Sequence, residues 1–462
     1  MIFILIVLFA PKTQIAQTYP SSNINLIGHI KPGDATKFSG CWGWYQANKN
    51  REYGLVQGTN GQLYFLDITV PSAPVVCDSV KGCPGINREV HTYQNYCYSI
   101  AGASCSLNNG FQVIDMRYLP DSVHEVYSGN SYFKNSHALY INQDKLYCSS
   151  VKQGTVYTNM NVYSLATPSA PLLLRKLDQD YTLNDGVHDM FVRNDTVYAS
   201  AMYQGLLIYK FNGANFTQIG SLASYPESGF NHSSSLTDNG KALVFCDEIP
   251  YGLSIKIADV TNLSNIVVTA LCKPNNHPDF VAHNPYVVGN KWAYISCYQD
   301  GLMIYDISTP SAPVLAGFFD TYPQEGFNTN NYGSISYEGN WGAYPYFPSG
   351  HILALDMTNG AFILKPSATI GLKEYQGHSL SLNVSPNPST NFIIVNLEAK
   401  EIFAFQLELK NSLGKLILSN ETNSYFNSLN NKIDVSQIPN GIYFICINHK
   451  GTMCQQKIVI LH

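Results

Sequence analysis

Short apolar runs, separated by Gly, Asn, Asp and Pro, recur along the chain as far as Pro366. Each recurrence contains a complete or degenerate motif of the form apolar-x-Asp-apolar-x-x-Pro. Successive Asp-equivalent positions are 48, 49, 46, 49, 47 and 50 residues apart, at Asp67, Asp115, Ser164, Lys210, Asp259, Asp306 and Asp356. A steady period of this length in a strand-rich chain indicates stacked or radial repeats.

The sixth repeat shows the internal layout of one unit. Four apolar and aromatic runs, separated by Gly-Asn, Gln-Asp-Gly and Ser-Thr-Pro turns, lie at 281–288, 291–297, 302–307 and 313–319. Such runs predict one antiparallel four-stranded sheet. Repeats of about 40–50 residues with four strands each are typical of β-propeller blades. The sequence therefore predicts an all-β fold with a seven-bladed β-propeller.

A propeller must tie its two ends together, because an open sheet edge promotes association with other chains. The segment at 24–30 precedes the first complete repeat and looks like a fourth strand without its own blade. We expect it to pair into the last blade and close the ring. Residues 361–366 could fill the same position, and the sequence does not decide between the two.

Composition and the N-terminus favour export. Charged residues make up 13% of the chain, against about 25% in ordinary soluble domains, while Tyr and Phe are abundant. A net charge of −5 offers no basic face for nucleic acid. The apolar run at 2–10 and a plausible cleavage point at Ala16-Gln17 predict a signal peptide at 1–17, with a buried N-terminal strand as the alternative. No other segment approaches transmembrane length.

The blade pattern stops near Pro366, which bounds the predicted propeller to residues 18–370 and leaves a polar linker at 371–380. Alternating apolar positions with Gly and Asn turns fill 381–462. This pattern predicts a small Ig-like β-sandwich.

Cysteine and aspartate positions allow three further predictions. Cys446 and Cys454 are symmetric about Lys450, so a three-residue hairpin loop would place them directly opposite and permit a disulfide. The repeated Asp residues should accept hydrogen bonds from the following turn. One cysteine on the second strand of each of four blades should serve as a small buried apolar side chain: Cys97, Cys148, Cys246 and Cys297.

The motifs of the tail resemble the type A C-terminal sorting domain of the type IX secretion system. They are Pro-Asn-Pro at 386–388, Asn-Ser-Leu-Gly-Lys at 411–415, Ile-Pro-Asn-Gly-Ile-Tyr at 438–443 and Lys-Ile-Val-Ile at 457–460. The resemblance implies the type IX machinery as a partner of 381–462, and a secreted or outer-surface location. In that family the tail is usually removed. An Ig-like accessory domain that binds a ligand is the alternative.

Residues 24–366 resemble LVIVD-repeat propellers, including the choice-of-anchor B group. The resemblance is carried by Cys-Trp-Gly-Trp at 41–44, Arg-Glu-Tyr-Gly-Leu-Val at 51–56 and Gly-Leu-Met-Ile-Tyr-Asp-Ile-Ser at 301–308. The third and fourth repeats depart from it because they lack the Asp. Such a resemblance implies a fold and says little about activity.

Five histidines recur in phase with the blades, spaced by 46, 51, 44 and 51 residues: His91, His137, His188, His232 and His283. The first strand of a blade lines the central channel, so these residues are predicted to form a ring. The matching places in the first and last blades hold Trp42 or Trp44 and residues 332–334.

Converging imidazoles could hold a divalent transition metal, with Glu89, Asp185 and Asp189 as supporting partners. Alternatively, each imidazole could hydrogen-bond a neighbouring strand and fix the angle between blades. Both interpretations stay open from the sequence.

These features favour a secreted or cell-surface propeller that binds an extracellular ligand, which could be a glycan, a protein or a metal. Trp42 and Trp44 could stack on carbohydrate, or they could be buried blade aromatics. The alternatives are a metal-assisted hydrolase or lyase that uses the histidine ring, and a structural surface component. No common catalytic motif is present, so no catalytic residue is assigned, and a divalent metal is the one cofactor considered.

Overall fold

Antiparallel strands account for nearly all regular structure in the part of the chain that the computed structural model describes, which comprises residues 18–102, 109–333, 337–367, 380–411, 415–449 and 452–462. The chain divides into two units, Met1–Leu372 and Lys373–His462, and each is described by itself. The predicted signal peptide at 1–17 lies outside the described residues.

The first unit contains seven antiparallel sheets, which are the blades. Two short N-terminal strands, β1 (Ser21–Ser22) and β2 (Ile24–Ile30), precede them. Blade 1 consists of β3 (Phe38–Gln46), β4 (Arg51–Gly58), β5 (Gln62–Asp67) and β6 (Val75–Lys81). Blade 2 consists of β7 (Arg88–Tyr93), β8 (Tyr96–Ala101), β9 (Phe111–Asp115) and β10 (His124–Gly129).

The third and fourth blades follow the same order. Blade 3 consists of β11 (Leu139–Asn142), β12 (Lys145–Gln153), β13 (Val156–Ser164) and β14 (Leu172–Lys176), after which comes a 3-10 turn at Leu177–Gln179. Blade 4 consists of β15 (Asp189–Arg193), β16 (Thr196–Ser200), β17 (Leu206–Phe211) and β18 (Phe216–Leu222).

The last three blades complete the unit. Blade 5 consists of β19 (Asn231–Leu236), β20 (Ala242–Asp247), β21 (Ile255–Asp259) and β22 (Val267–Cys272). Blade 6 consists of β23 (Asn284–Val288), β24 (Trp292–Ser296), β25 (Leu302–Asp306) and β26 (Val314–Phe319). Blade 7 contains β27 (Asn340–Tyr344), β28 (Ile352–Asp356) and β29 (Gly360–Pro366).

The ring is closed by the N-terminal segment, as predicted. β2 pairs with β29 and is the fourth, outermost strand of blade 7, so residues 361–366 form the third strand and not the closing one. β1 adds a fifth strand to blade 6. The first strand of each blade contacts the first strand of the next, and β27 contacts β3, which completes the circle.

Strand alternation explains why the blades pack on both faces. In β20, Leu243 and Phe245 enter the apolar core shared with blade 4, whereas Val244 and Cys246 enter the core shared with blade 6. Successive side chains of a strand point to opposite faces, so a strand between two blades needs a continuous apolar run. Seven such cores of described residues separate the seven blades.

The recurring Asp closes the turn after the third strand, as predicted. In blades 1, 2, 5 and 6 the carboxylate accepts a hydrogen bond from the backbone amide two residues later, at 2.9 to 3.0 Å, in Asp67, Asp115, Asp259 and Asp306. Asp356 accepts the same bond from Thr358 at 2.8 Å, but it lies at the end of β28, the second strand of blade 7, so the prediction for the seventh repeat is wrong in strand. Ser164 makes the same bond to Ala166 at 3.1 Å in the third repeat. In the fourth repeat the acceptor is Asn212, which receives the amide of Ala214.

The second unit is a small β-sandwich. Its strands are β30 (Leu380–Ser385), β31 (Phe392–Asn411), β32 (Leu416–Asp434), β33 (Gly441–His449) and β34 (Thr452–Ile460). The first half of β31 pairs with β30 and its second half pairs with β33. Side chains from both halves, including Val395 and Leu407, meet in one core with Ile445 and Ile458.

The predicted pairing of Cys446 with Cys454 is wrong in register. β33 pairs Cys446 with Gln455 and Ile447 with Cys454, because the strands run on to His449 and Thr452 and leave two residues between them. Cys446 is a free thiol. The four blade cysteines are buried and free, as predicted. Cys83 is disulfide-bonded.

Candidate functional site

The innermost strands of the ring surround a cavity of about 350 Å³. All seven blades contribute to its wall. Two residues from each blade illustrate this arrangement: Cys41 and Trp42, Glu89 and His91, His137 and Tyr140, His188 and Asp189, His232 and Glu248, His283 and Tyr298, and Trp341 and Tyr346. All five predicted histidines therefore face the cavity.

Backbone hydrogen bonds fix the histidines where the first strand of a blade begins. The amides of His137, His188 and His283 each donate to the carbonyl of a serine on the second strand of their own blade, at 2.8 to 3.0 Å. Second-strand serines also reach the next blade, since Ser149 Oγ donates to the carbonyl of His188 at 2.6 Å. The histidine backbone thus helps to set the spacing between blades.

Four of the five imidazoles form a continuous arc over blades 3 to 6. Ring centroids are 4.1 Å apart between His137 and His188, 4.4 Å between His188 and His232, and 4.3 Å between His232 and His283. His91 stands apart, because it lies three positions further along its strand, where it pairs with Tyr98 as Phe191 pairs with Tyr198 in blade 4. Its ring stacks on Trp42 at 3.6 Å. The structure therefore shows an arc of four histidines with a separate fifth, where the sequence predicted one ring.

Hydrogen bonds fix the protonated nitrogen of two imidazoles. His283 Nδ1 donates to the carbonyl of Trp341 at 2.6 Å, and His188 Nδ1 donates to the carbonyl of His232 at 3.3 Å. A carbonyl oxygen only accepts, so each Nδ1 carries the hydrogen and each neutral ring keeps a lone pair on Nε2. One imidazole can therefore fill both predicted roles, with Nδ1 bonded to a neighbouring blade and Nε2 available to a ligand.

Burial keeps all five imidazoles neutral. It lowers the pKa of His91 and of His283 to about 3 and that of His137 to about 4. Burial, reinforced by the neighbouring histidines, also holds the pKa of His188 and of His232 well below the ordinary value. Near neutral pH these rings offer lone pairs and no positive charge.

The charged groups of the cavity are acids. Burial raises the pKa of Glu89 to about 8, with a contribution from Asp189, and raises that of Asp189 to about 7. Burial also raises the pKa of Glu248, although Tyr298 Oη donates to its carboxylate at 2.7 Å. Among the described residues that line the cavity, none is Lys or Arg.

One group of side chains has the arrangement of a metal site. His232 Nε2 lies 3.8 Å from Glu248 Oε2, and with His283 the three possible ligand atoms all lie within 4.8 Å of one another. All three residues are buried. Glu248 was not identified from the sequence. This residue follows β20 in blade 5 and does not belong to the repeated pattern of histidines.

The structure also corrects the place assigned to the last blade. Trp341, and not residues 332–333, occupies the position of His232, since each lies at a β-bulge between the first and second strands of its blade. Residue 334 lies outside the described residues. Fifty-eight residues separate Trp341 from His283. The long connection between β26 and β27 therefore breaks the spacing that the sequence prediction relied on.

The two candidate tryptophans have different environments. Trp42 lines the cavity, whereas Trp44 is 6% exposed and lies in the core between blades 1 and 2. Trp44 Nε1 donates to the carbonyl of Gln94 at 2.8 Å. Of the three expected supporting acids, Glu89 and Asp189 line the cavity, while Asp185 is exposed and lies outside the lining.

Comparison with known proteins identifies two parts of the chain. Residues 383–461 match the secretion system C-terminal sorting domain, and residues 286–321 match the LVIVD repeat. A search of the curated proteins found no match.

Two solved structures illustrate the range of similar folds. One is PorZ, described as an essential bacterial surface component of the type IX secretion system of Porphyromonas gingivalis, with 12% identity, a TM-score of 0.47 and coverage of 93% of this chain. This chain spans 60% of that PorZ chain. The other is YCF48 from Cyanidioschyzon merolae, with 8% identity, a TM-score of 0.49 and coverage of 75% of this chain and 99% of that one.

Among the described residues no helix is both long and apolar enough to cross a lipid bilayer. The tail matches a sorting domain over almost its whole length, and the seven blades form a closed ring. The chain is therefore a β-propeller with an LVIVD repeat and a C-terminal type IX sorting domain, which directs it to secretion or to the cell surface.

Proposed function

We propose that this exported propeller binds a small cationic ligand in its central cavity. The observation that supports the proposal is the set of ionisable side chains in the cavity wall. Its described residues include three acids, Glu89, Asp189 and Glu248, and no Lys or Arg. The volume of about 350 Å³ falls at the lower end of the range for small-molecule sites, about 300–1,000 Å³.

A cation would stabilise the ionised form of these carboxyl groups, whose pKa values burial raises in the ligand-free protein. An ionised carboxylate removed from water is unfavourable unless an opposite charge accompanies it. The imidazoles are neutral and cannot supply that charge. An anionic ligand would meet three acids and no compensating group, which disfavours it.

Aromatic faces add to the attraction for a cation. Trp42, Trp341 and Tyr298 line the same cavity, and the faces of such rings attract positive charge. Trp341 also directs its indole N–H towards Glu89 Oε1 at 3.5 Å. Aromatic rings beside carboxylates therefore suit metal ions and organic ammonium groups alike.

The test is a thermal-unfolding screen of the full exported chain at pH 8. The probes are zinc, manganese and calcium chlorides, ethanolamine hydrochloride and choline chloride, with sodium chloride, glucose and sodium glucuronate as controls. At least one cation should raise the melting temperature, because a ligand at a hundred times its Kd stabilises the native state by about 2.7 kcal/mol. The double variant E89Q/D189N should weaken that response.

The surface variant D121N is the matched control, since Asp121 is exposed, and it should respond as the unmodified chain does. A screen in which no cation raises the melting temperature would exclude the proposal. So would a response to glucuronate without any response to cations. The competing function is a surface component that binds nothing in its channel. It requires that no cation raises the melting temperature.

A further inference from the structure

We infer that His232, Glu248 and His283 bind a divalent transition-metal ion on one side of the cavity. The inference rests on the proposed cation binding and names the cation. The three residues come from the adjacent blades 5 and 6, and all are buried, with exposed fractions of 5%, 8% and 2%. The fold therefore brings two nitrogen donors and one carboxylate together from positions far apart in the sequence.

The separations between donor atoms suit a single ion. A tetrahedral ion with bonds of about 2.1 Å holds its ligand atoms roughly 3.4 Å apart. His232 Nε2 and Glu248 Oε2 are 3.8 Å apart, and no pair in the group exceeds 4.8 Å. Small side-chain rotations are enough to bring all three onto one ion.

Neighbouring groups already orient the donors. His283 donates from Nδ1 to the carbonyl of Trp341, which leaves Nε2 for a metal. Tyr298 Oη donates to Glu248 Oε1 at 2.7 Å, which leaves Oε2 facing His232. Metal-binding histidines and carboxylates commonly carry such second hydrogen bonds, which fix the tautomer and the ring orientation. Tyr298 is therefore a positioning residue for the metal.

The donor set selects the class of metal. Two imidazole nitrogens and one carboxylate suit zinc and other first-row transition metals, whereas calcium and magnesium prefer six or more oxygen ligands. Three protein ligands leave a coordination position open towards the cavity. The imidazole of His188 is a neighbour of this group, with its ring centroid 4.4 Å from that of His232.

The test is metal binding by the full chain after treatment with a chelator. Zinc binding is measured by isothermal titration calorimetry, and metal content by elemental analysis after dialysis. We expect one zinc per chain, with no competition from a tenfold excess of magnesium or calcium. The variants H283A and E248Q should each weaken zinc binding more than about 100-fold, and Y298F should weaken it about 10–100-fold.

The control variant is H91A, because His91 faces the same cavity but stacks on Trp42 away from the three ligands. It should keep one zinc of unchanged affinity. E248Q retains the size of the side chain, so it tests the site even if H283A unfolds. A chain that takes up no zinc, or a loss in H91A equal to that in E248Q, would overturn the inference.

The two proposals can fail separately. If zinc does not bind but ethanolamine or choline raises the melting temperature, the metal site is wrong and cation binding stands. If no cation of any kind binds, both proposals are wrong.

Discussion

The backbone of a channel histidine ties two strands of its own blade together, while its imidazole faces the cavity. In blades 3, 4 and 6 the amide of the histidine pairs with a second-strand serine. A substitution there can therefore remove a ligand without removing the backbone bond. At the scale of the residue, the blade contact and the binding site use different atoms of one amino acid.

Glu89 should make the stability of the ligand-free propeller depend on pH. Its folded pKa of about 8 exceeds the ordinary value of about 4.3, so between those values the folded chain holds a proton that the unfolded chain releases. Stability from this group therefore falls as the pH rises through that window. The melting temperature of E89Q relative to the unmodified chain should increase from pH 5 to pH 9. A difference that stays constant over this range would contradict the assigned shift.

Trp44 and Trp42 should differ in what their removal changes. Trp44 packs on Tyr53 with ring centroids 5.5 Å apart, inside the core between blades 1 and 2. W44A should therefore lower the free energy of unfolding by about 3–5 kcal/mol. W42A should destabilise the chain less and weaken cation binding. Chemical denaturation and the cation screen measure the two effects, and equal destabilisation by both variants would be the contrary result.

At the scale of the element, the strand that closes the ring comes from the opposite end of the propeller sequence. β2 pairs with β29 along its whole length, apart from one irregularity near Gly28. A Cβ at Gly28 would lie 1.7 Å from the carbonyl oxygen of Pro71, so only glycine fits there. Glu52 in blade 1 also contacts blade 7, because it accepts hydrogen bonds from the amide and the hydroxyl of Ser349.

Alternation along β2 gives a matched pair of variants. Ile24 is 2% exposed and belongs to the core between blades 6 and 7, whereas Leu26 is 40% exposed. I24A should cost about 2–5 kcal/mol of stability. L26A should cost within about 1 kcal/mol, since surface changes are usually small. Urea denaturation of both variants decides this, and a larger loss for L26A would contradict the assigned closure.

At the scale of the whole molecule, the ring is complete before the tail begins. Pairing of β2 with β29 closes the circle within residues 24–366. The sorting domain occupies 383–461 and has a core of its own. Folding of the propeller and its export are therefore assigned to different parts of the chain.

A chain truncated after Leu372 should fold and keep the melting temperature of the propeller, yet fail to leave the cell. Fractionation of the producing bacterium, with immunodetection of the propeller, measures where it accumulates. The full-length variant H91A serves as an export control and should reach the outside. Recovery of the truncated form outside the cell would disprove the role assigned to the tail.

Repetition made most of the fold predictable. Blade number, the four-stranded layout and the Asp turns of blades 1, 2, 5 and 6 follow from local patterns that recur with a fixed period. The choice between 24–30 and 361–366 as the closing strand needed the structure. The register of the hairpin at Cys446 was missed, because one residue of loop length changes which residues face each other. The position of Trp341 was also missed, because the long connection between β26 and β27 departs from the regular spacing of the repeats.

The sequence by itself determined that histidines recur about once per blade in the first strands of five blades, because recurrence is a property of spacing. The registers place His91 three positions further along its strand than the other four, since it pairs with Tyr98 as Phe191 pairs with Tyr198. Only the tertiary structure decided that four of them touch while His91 stacks on Trp42, and that Glu248 joins His232 and His283. Those contacts depend on the radius of the closed ring and on the end of a second strand. The spacing within a single repeat predicts neither the radius of the ring nor which side chains follow the second strand.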